Sequence, residues 1–277
     1  MAILADVPLI QKVIYGNDDR ADIYQCVDNL LTSLSKSTAA QIPNELLKPV
    51  GNKMILSGPL LSETGVCKSE RFANQLTSAD CSGFLIGSDI LVTAGHCVEN
   101  LSVCKNNFWI FDYANQNQES TSFTFTKNQI FRCTQIIAHA FGSENKSDYS
   151  ILRLDREVTG RIPLKYRMSG KIDNHASLAV IGHPSGLPTK ITTSVDIRDN
   201  SNNYFFTTNS DTYTGSSGSA VVNTQTGEVE GILIRGDIDF IQAEGQSCRI
   251  SKVNSNNCGR GEDVMRINAI AKLNLGK

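Results

Sequence analysis

Short runs of apolar and β-branched residues recur along most of this chain, separated by turn residues. From Cys81 onward they fall at 83–87, 90–95, 108–112, 121–125, 129–138 and 149–154. They resume at 177–182, 190–197, 204–208, 219–223, 229–235 and 238–243. Runs of this length, with little helical pattern between them, predict an all-β sandwich or barrel. Spacing alone does not choose between the two.

The two ends read differently. Ile23, Val27, Leu30, Leu31 and Leu34 follow one another at intervals of mostly three and four residues, which predicts a helix within 21–40. Residues 41–80 carry Pro43, Pro49 and Pro59 with scattered glycines and read as an extended arm with loops. In the tail 262–273, Val264, Ile267, Ile270, Ala271 and Leu273 predict an amphipathic terminal helix.

Composition is that of an ordinary globular protein: 277 residues, 40% apolar and 19% charged, with a net charge of −2. A near-neutral chain lacks the clustered basic face that general binding to nucleic acid or an anionic membrane requires. No run approaches the ~18 apolar residues of a membrane span.

Eight cysteines, at 26, 67, 81, 97, 104, 133, 248 and 258, contain no CxxC spacing, so disulfides are expected rather than zinc. Cys81 and Cys97 bracket two β runs around Gly87-Ser88-Asp89, and a hairpin there returns the second cysteine beside the first. Cys104–Cys133 and Cys248–Cys258 are plausible local pairs, which leaves Cys26 with Cys67, but the connectivity stays open. Cysteines of this type without a signal peptide in Met1-Ala2-Ile3-Leu4-Ala5-Asp6 imply a secreted or periplasmic protein whose signal has been removed.

Three stretches carry candidate chemistry. Thr214-Gly215-Ser216-Ser217-Gly218-Ser219-Ala220 exposes a serine between glycines and aims backbone N–H groups at one point. Leu91-Val92-Thr93-Ala94-Gly95-His96-Cys97 offers a base, and Asp148-Tyr149-Ser150-Ile151-Leu152-Arg153-Leu154 offers a carboxylate at the start of a strand. A serine hydroxyl is a poor nucleophile at neutral pH, so Ser217 needs His96 to take its proton. Asp148 would hold the imidazole in the right tautomer.

The order His, Asp, Ser and the Ala-Gly-His-Cys motif resemble the chymotrypsin-like (trypsin-like) serine peptidases over roughly the last four fifths of the chain. Val13-Ile14-Tyr15-Gly16-Asn17-Asp18-Asp19-Arg20 resembles the mature start of their bacterial branch near the V8/glutamyl endopeptidase group. The resemblance implies two six-stranded antiparallel barrels, with an N-terminal extension and a C-terminal helix on the second barrel. The linker would lie near 158–172. The expected division is a propeptide tail at 1–12, cut after Lys12, an arm and extension at 13–80, a first barrel at 81–165 and a second at 166–277. It also implies a Cys81–Cys97 disulfide beside the catalytic histidine, and an oxyanion hole made by the N–H groups of Gly215 and Ser217.

The same resemblance puts Asp211, six residues before Ser217, on the floor of the pocket for the substrate side chain preceding the scissile bond (P1). Leu233, Ile234, Arg235 and Gly236 would form the strand that pairs with substrate backbone, with Gly236 leaving the pocket mouth open. Glutamyl endopeptidases carry a histidine where Leu233 stands, so an acidic P1 is not expected; Asp211 points to Arg or Lys. Ser216 departs from animal trypsins, which carry an aspartate there to pair with a new N-terminus. His139, His175 and His183 show no metal spacing and read as structural. The expected function is a secreted endopeptidase acting on proteins or peptides through an acyl-enzyme, without metal or cofactor. Its alternatives are a catalytically silent or zymogen-locked homologue used for binding, and a narrow processing protease.

Overall fold

The computed structural model describes residues 13–118, 120, 122–142 and 147–271. The leader 1–12, with Lys12, lies outside the described residues, as do Lys272 and Leu273 of the expected terminal helix.

Six strands close into a barrel in the order Ile130–Phe141, Asp148–Leu154, Ile90–Thr93, Cys81–Leu85, Thr38–Pro43 and Asn107–Phe111. Five of the six coincide with β runs read from the sequence. The sixth, Thr38–Pro43, falls in the region read as helix and extension. It is a strand because Ala39, Ala40 and Ile42 are all fully buried between neighbours on both sides. An isolated helix would leave those faces unmatched. The first barrel therefore begins well before Cys81.

An eight-stranded sheet faces the barrel, in the order Ile197–Asp199, Phe205–Thr208, Glu262–Arg266, Val229–Arg235, Ala220–Asn223, Leu178–Gly182, Lys190–Val195 and Arg20–Asp22. It is a half-barrel rather than a second closed six-stranded barrel, and its last strand comes from the N-terminal extension. Between Leu154 and Leu178 no named element occurs. There Leu164 N donates to Leu85 O (2.8 Å) and Arg167 N to Val229 O (3.0 Å), so the connection is tied to both layers.

The ends correct two expectations. In the 21–40 region a 3-10 turn at Ile23–Gln25 precedes a short α-helix, Asn29–Ser35, capped by the Asp28 carboxylate accepting from Leu30 N and Leu31 N. In the tail, Glu262–Arg266 is a buried strand between Phe205–Thr208 and Val229–Arg235, and among the described residues of the tail helix is limited to Asn268–Ala271. Helical spacing of Val264, Ile267 and Ile270 misled because residues 262–266 pair along both edges with neighbouring strands and bury their side chains on either face.

One apolar cluster spans both layers. Phe84, Leu91, Ile151 and Leu152 of the barrel meet Ile181, Ala220, Ile232 and Met265 of the sheet. The motifs around His96, Asp148 and Ser217 border this shared core through Ala94, Cys97, Ile151 and Ala220.

Three disulfides are present: Cys81–Cys97, Cys104–Cys133 and Cys67–Cys248. The first two match expectation. The third replaces Cys248–Cys258, and Cys26 and Cys258 carry free thiols. Backbone pairing explains it: Cys67 N donates to Arg249 O and Arg249 N to Gly65 O (both 2.9 Å), which brings the 61–76 loop against the Phe240–Gln242/Arg249–Ser251 hairpin.

Candidate active site

His96 lies in the single turn Gly95–Cys97 that follows the strand Ile90–Thr93. Asp148 opens the adjacent strand. The Asp148 carboxylate takes the His96 backbone N–H (3.0 Å) and approaches the imidazole Nδ1 at 2.9 and 3.1 Å. With Nδ1 donating to the carboxylate, the proton-accepting lone pair belongs to Nε2. Asp148 is buried, and its own N–H points at the Met265 sulfur of the facing sheet, 3.3 Å away. A carboxylate held from both ring and backbone fixes the imidazole's orientation, which a freely rotating pair would not.

Ser217 belongs to the loop entering the strand Ala220–Asn223. That loop is stitched on all sides. Ser216 N donates to Tyr213 O (2.8 Å), Ser219 N to Ser216 O (2.9 Å) and Gly218 N to Leu233 O (2.8 Å). Ser82 N donates to Ser217 O (2.8 Å), and the Cys97 sulfur lies 3.8 Å from the same oxygen. The serine loop is thereby tied to the residue next to His96. Gly215 has φ +95° and Gly218 φ +85°, backbone that a residue with a Cβ rarely adopts. This is the physical reason the serine run must be broken by glycines.

Ser82 was not singled out by sequence. Fully buried, its hydroxyl donates to Gly215 O (2.8 Å) and accepts from His183 N (2.9 Å). It fixes the orientation of the Gly215 carbonyl and hence of the turn that presents Ser217. A lone serine in a β run gives no sequence signal for such a role.

Ser216 is also buried, and its hydroxyl faces the Tyr213 N–H at 3.4 Å. The position that holds an aspartate in animal trypsins thus closes a local turn here.

Asp211 is 2% exposed. Both carboxylate oxygens are occupied from the N-terminal side, by Tyr15 N (2.6 Å) and Asp19 N (2.8 Å). Burial pushes its carboxyl up to about 7, against the pull of those two N–H groups. Nearby Arg20, buried and raised by its bidentate pair with Asp18 (2.8 and 2.7 Å), stacks 4.1 Å above the Tyr213 ring. The stretch Ile14–Tyr15 pairs in parallel with Val253–Asn254. The sequence start that resembles the V8 group is therefore built into the base of the site.

Leu233 and Ile234 are fully buried, one in each of two core clusters. Arg235 Nε pairs with Asp263 (3.0 Å), which Arg260 also engages at 2.5 Å, so its charge is partly answered within the fold. Gly236 packs against Glu262: a Cβ on the glycine would overlap that carboxylate. Glu262 is fully buried, accepting from Thr212 Oγ1 (2.5 Å) and Asp237 N (3.3 Å). Sequence reasoning assigned this residue to a helix, whereas it opens the strand Glu262–Arg266.

His183 stacks on Tyr113 (5.6 Å, 14° between planes), and burial lowers it to about 4, so it stays neutral. His139 Nδ1 meets Ser150 Oγ at 2.8 Å. Among the described residues, the Cys81 and Cys97 sulfurs lie within 4.8 Å of a His96 nitrogen, but they are joined to each other and offer no thiolate to a metal.

Residues 81–232 match the family model described as Trypsin-like peptidase domain. Among solved structures, a Glu endopeptidase in complex with MPD is similar at 15% identity, with a TM-score of 0.53, covering 94% of this chain and 95% of that one. Vibrio cholerae VesB protease is similar at 13% identity, TM-score 0.52, over 94% of this chain and 65% of that one. Rv3671c from M. tuberculosis H37Rv, in an inactive form, is similar at 14% identity, TM-score 0.50, over 94% and 93%. At such identities the likeness is one of fold. No curated protein sequence matches the chain.

Proposed function

Because this chain belongs to the trypsin-like peptidase domain family and is a serine endopeptidase, we propose that Ser217, His96 and Asp148 perform its chemistry. Ser217 attacks the scissile carbonyl while His96 Nε2 takes its proton. His96 then delivers that proton to the leaving amine, and the acyl-enzyme is hydrolysed by the reverse exchange with water. Asp148 orients the ring and stabilises the imidazolium. The backbone N–H groups of Gly215 and Ser217 receive the oxyanion, a donor arrangement in which each contact is typically worth ~3–4 kcal/mol in the transition state.

The observation that carries this reading is the Asp148 carboxylate gripping His96 through both ring and backbone, beside a loop whose Ser217 carbonyl is pinned to the same barrel. The three disulfides support an oxidising compartment, secreted or periplasmic. Acidic groups behind the serine, Asp211 among them, favour Arg or Lys at P1. Activation by a cut after Lys12 is supported by the burial of Val13, Ile14 and Tyr15, whose backbone already serves the base of the site. N-terminal sequencing of the secreted protein tests it, and a start upstream of Val13 sinks it.

The test of the triad is kcat/KM on a P1-Arg peptide. Ser217→Ala should lower it by about 10⁵- to 10⁶-fold without moving the melting temperature. Activity that survives this change would remove Ser217 from the mechanism.

A further inference from the structure

We propose that a basic cleft at the far end of the closed barrel is an exosite for an acidic segment of the protein substrate, read about 30 Å from the scissile bond. This inference rests on the peptidase reading above and adds to it a recognition surface outside the catalytic site.

A cleft of about 320 Å³ opens between the hairpin Leu47–Val50/Lys53–Leu56 and the start of the strand Ile130–Phe141. Met54, Phe108 and Ile130 give it apolar walls. Lys53, Lys127, Arg132 and Arg156 line it as well, with Asp155 the one acid among its described residues. Asp155 answers Arg156, both carboxylate oxygens lying 3.0 Å from Nη1. Lys53, Lys127 and Arg132 have no ion pair among the described residues, so their charges stand uncompensated in a chain of net charge −2. The Arg132 guanidinium is braced 4.3 Å from the centre of the Phe108 ring, and that of Arg156 4.0 Å from the centre of Phe131. Arg156 also donates to Lys127 O and to Ile130 O (2.7 Å). Two cationic heads are thus held in place before a ligand arrives, which lowers the ordering cost of binding.

The chemistry of the cleft selects its occupant. Carboxylates answer the cations, apolar side chains suit the walls, and a peptide segment carries both. A sulfated polysaccharide has no apolar group to set against Met54 and Phe108. The few free charges of a concave cleft do not make the extended basic face that a nucleic-acid backbone or a lipid surface needs. The strand Ile130–Phe141 joins the cleft to the catalytic groups. Arg132 lies near its start, and Phe141 at its end brings its ring within 5.9 Å of that of His96, centre to centre. The roughly nine residues between them span about 30 Å of strand. A protein substrate held at Ser217 reaches the cleft with a segment that far from the cut, whereas a short peptide does not.

The experiment uses a fluorescein-labelled peptide in which glutamate alternates with leucine, its glutamine counterpart, and both segments joined through a glycine-serine linker to a short cleavable peptide. On the full chain carrying Ser217→Ala, the glutamate peptide should bind at least about tenfold more tightly than the glutamine one, an advantage lost in half-molar salt. Lys53→Gln, Lys127→Gln and Arg132→Gln together should abolish that advantage and leave the melting temperature unchanged. With Ser217 in place, the linked glutamate segment should raise kcat/KM about 10- to 100-fold through KM, and the triple variant should remove the gain. Cleavage of the unlinked peptide by the triple variant should stay within about twofold of wild type. Equal binding of the two peptides, or a glutamate advantage that survives the triple variant, overturns the proposal. Binding that brings no gain in kcat/KM rejects a part in substrate choice. Capture by heparin or by phosphatidylglycerol vesicles without a glutamate advantage assigns the cleft to another partner and overturns it too. Failure to cleave even the unlinked peptide, with glutamate binding intact, overturns the triad reading instead and leaves the acidic-segment site standing.

Discussion

The barrel that carries His96 and Asp148 closes on itself, whereas the sheet that carries Ser217 stays open and takes Arg20–Asp22 as its edge. In the barrel, the His–Asp contact arises between neighbouring strands whose residues lie in register, Ser150 opposite Thr93 and Leu152 opposite Leu91. In the sheet, the base of the site depends on chain about 200 residues away. Tyr15 and Asp19 hold Asp211, separated from it by 196 and 192 positions. Lys190 is fully buried against Asp22 at 2.5 Å, 168 positions away. The barrel brings His96 and Asp148 together from local motifs. The sheet holds Asp211 and Lys190 through long-range joints.

The largest expected effect tests the barrel half. Asp148→Asn should lower kcat about 10⁴-fold by presenting the wrong tautomer to Ser217, with the fold unchanged by circular dichroism. If kcat falls less than about tenfold, the His96–Asp148 pair is not the proton-transfer unit.

The next tests the sheet half by stability. Lys190→Met strands the buried Asp22 carboxylate and should cost about 3–5 kcal/mol in urea unfolding. Arg153→Met in the barrel breaks a surface pair with Asp89 and should cost no more than about 1 kcal/mol. Equal costs would erase the distinction between the two regions.

The smallest effect is a slope with pH. Burial raises Asp211 from 3.8 to about 7, so the folded protein keeps this proton to near neutrality while the unfolded chain releases it near pH 4. Between those values the folded state binds more protons, and stability contributed by this group falls as pH rises from about 4 to 7. Asp211→Asn should flatten that part of the profile of unfolding free energy against pH. A profile identical to wild type would mean that Asp211 is ionised in the fold well below neutrality.

What could be read from the sequence follows the same division. His96, Asp148 and Ser217 announce themselves because each lies in a short motif whose chemistry needs adjacent residues. The strands from Cys81 to Arg235 are legible because two-residue periodicity is local. Thr38–Pro43 is not, since its Ala39 and Ala40 have no strand signature until Phe84 and Ile110 are laid beside them. The strand Glu262–Arg266 was lost for a related reason: Val264 and Ile267 fit helical spacing, and only the two flanking strands reveal an extended segment. Cys67–Cys248 joins residues 181 positions apart, and no spacing rule reaches that far.

That disulfide encloses residues 67 to 248, an interval containing His96, Asp148 and Ser217. A single cut in any loop of this interval opens a covalent ring instead of releasing a fragment. For a peptidase that can be cut by copies of itself, a nicked molecule keeps its two pieces on one tether. His96, Asp148 and Ser217 then have no more than the ring's length to search before they meet again.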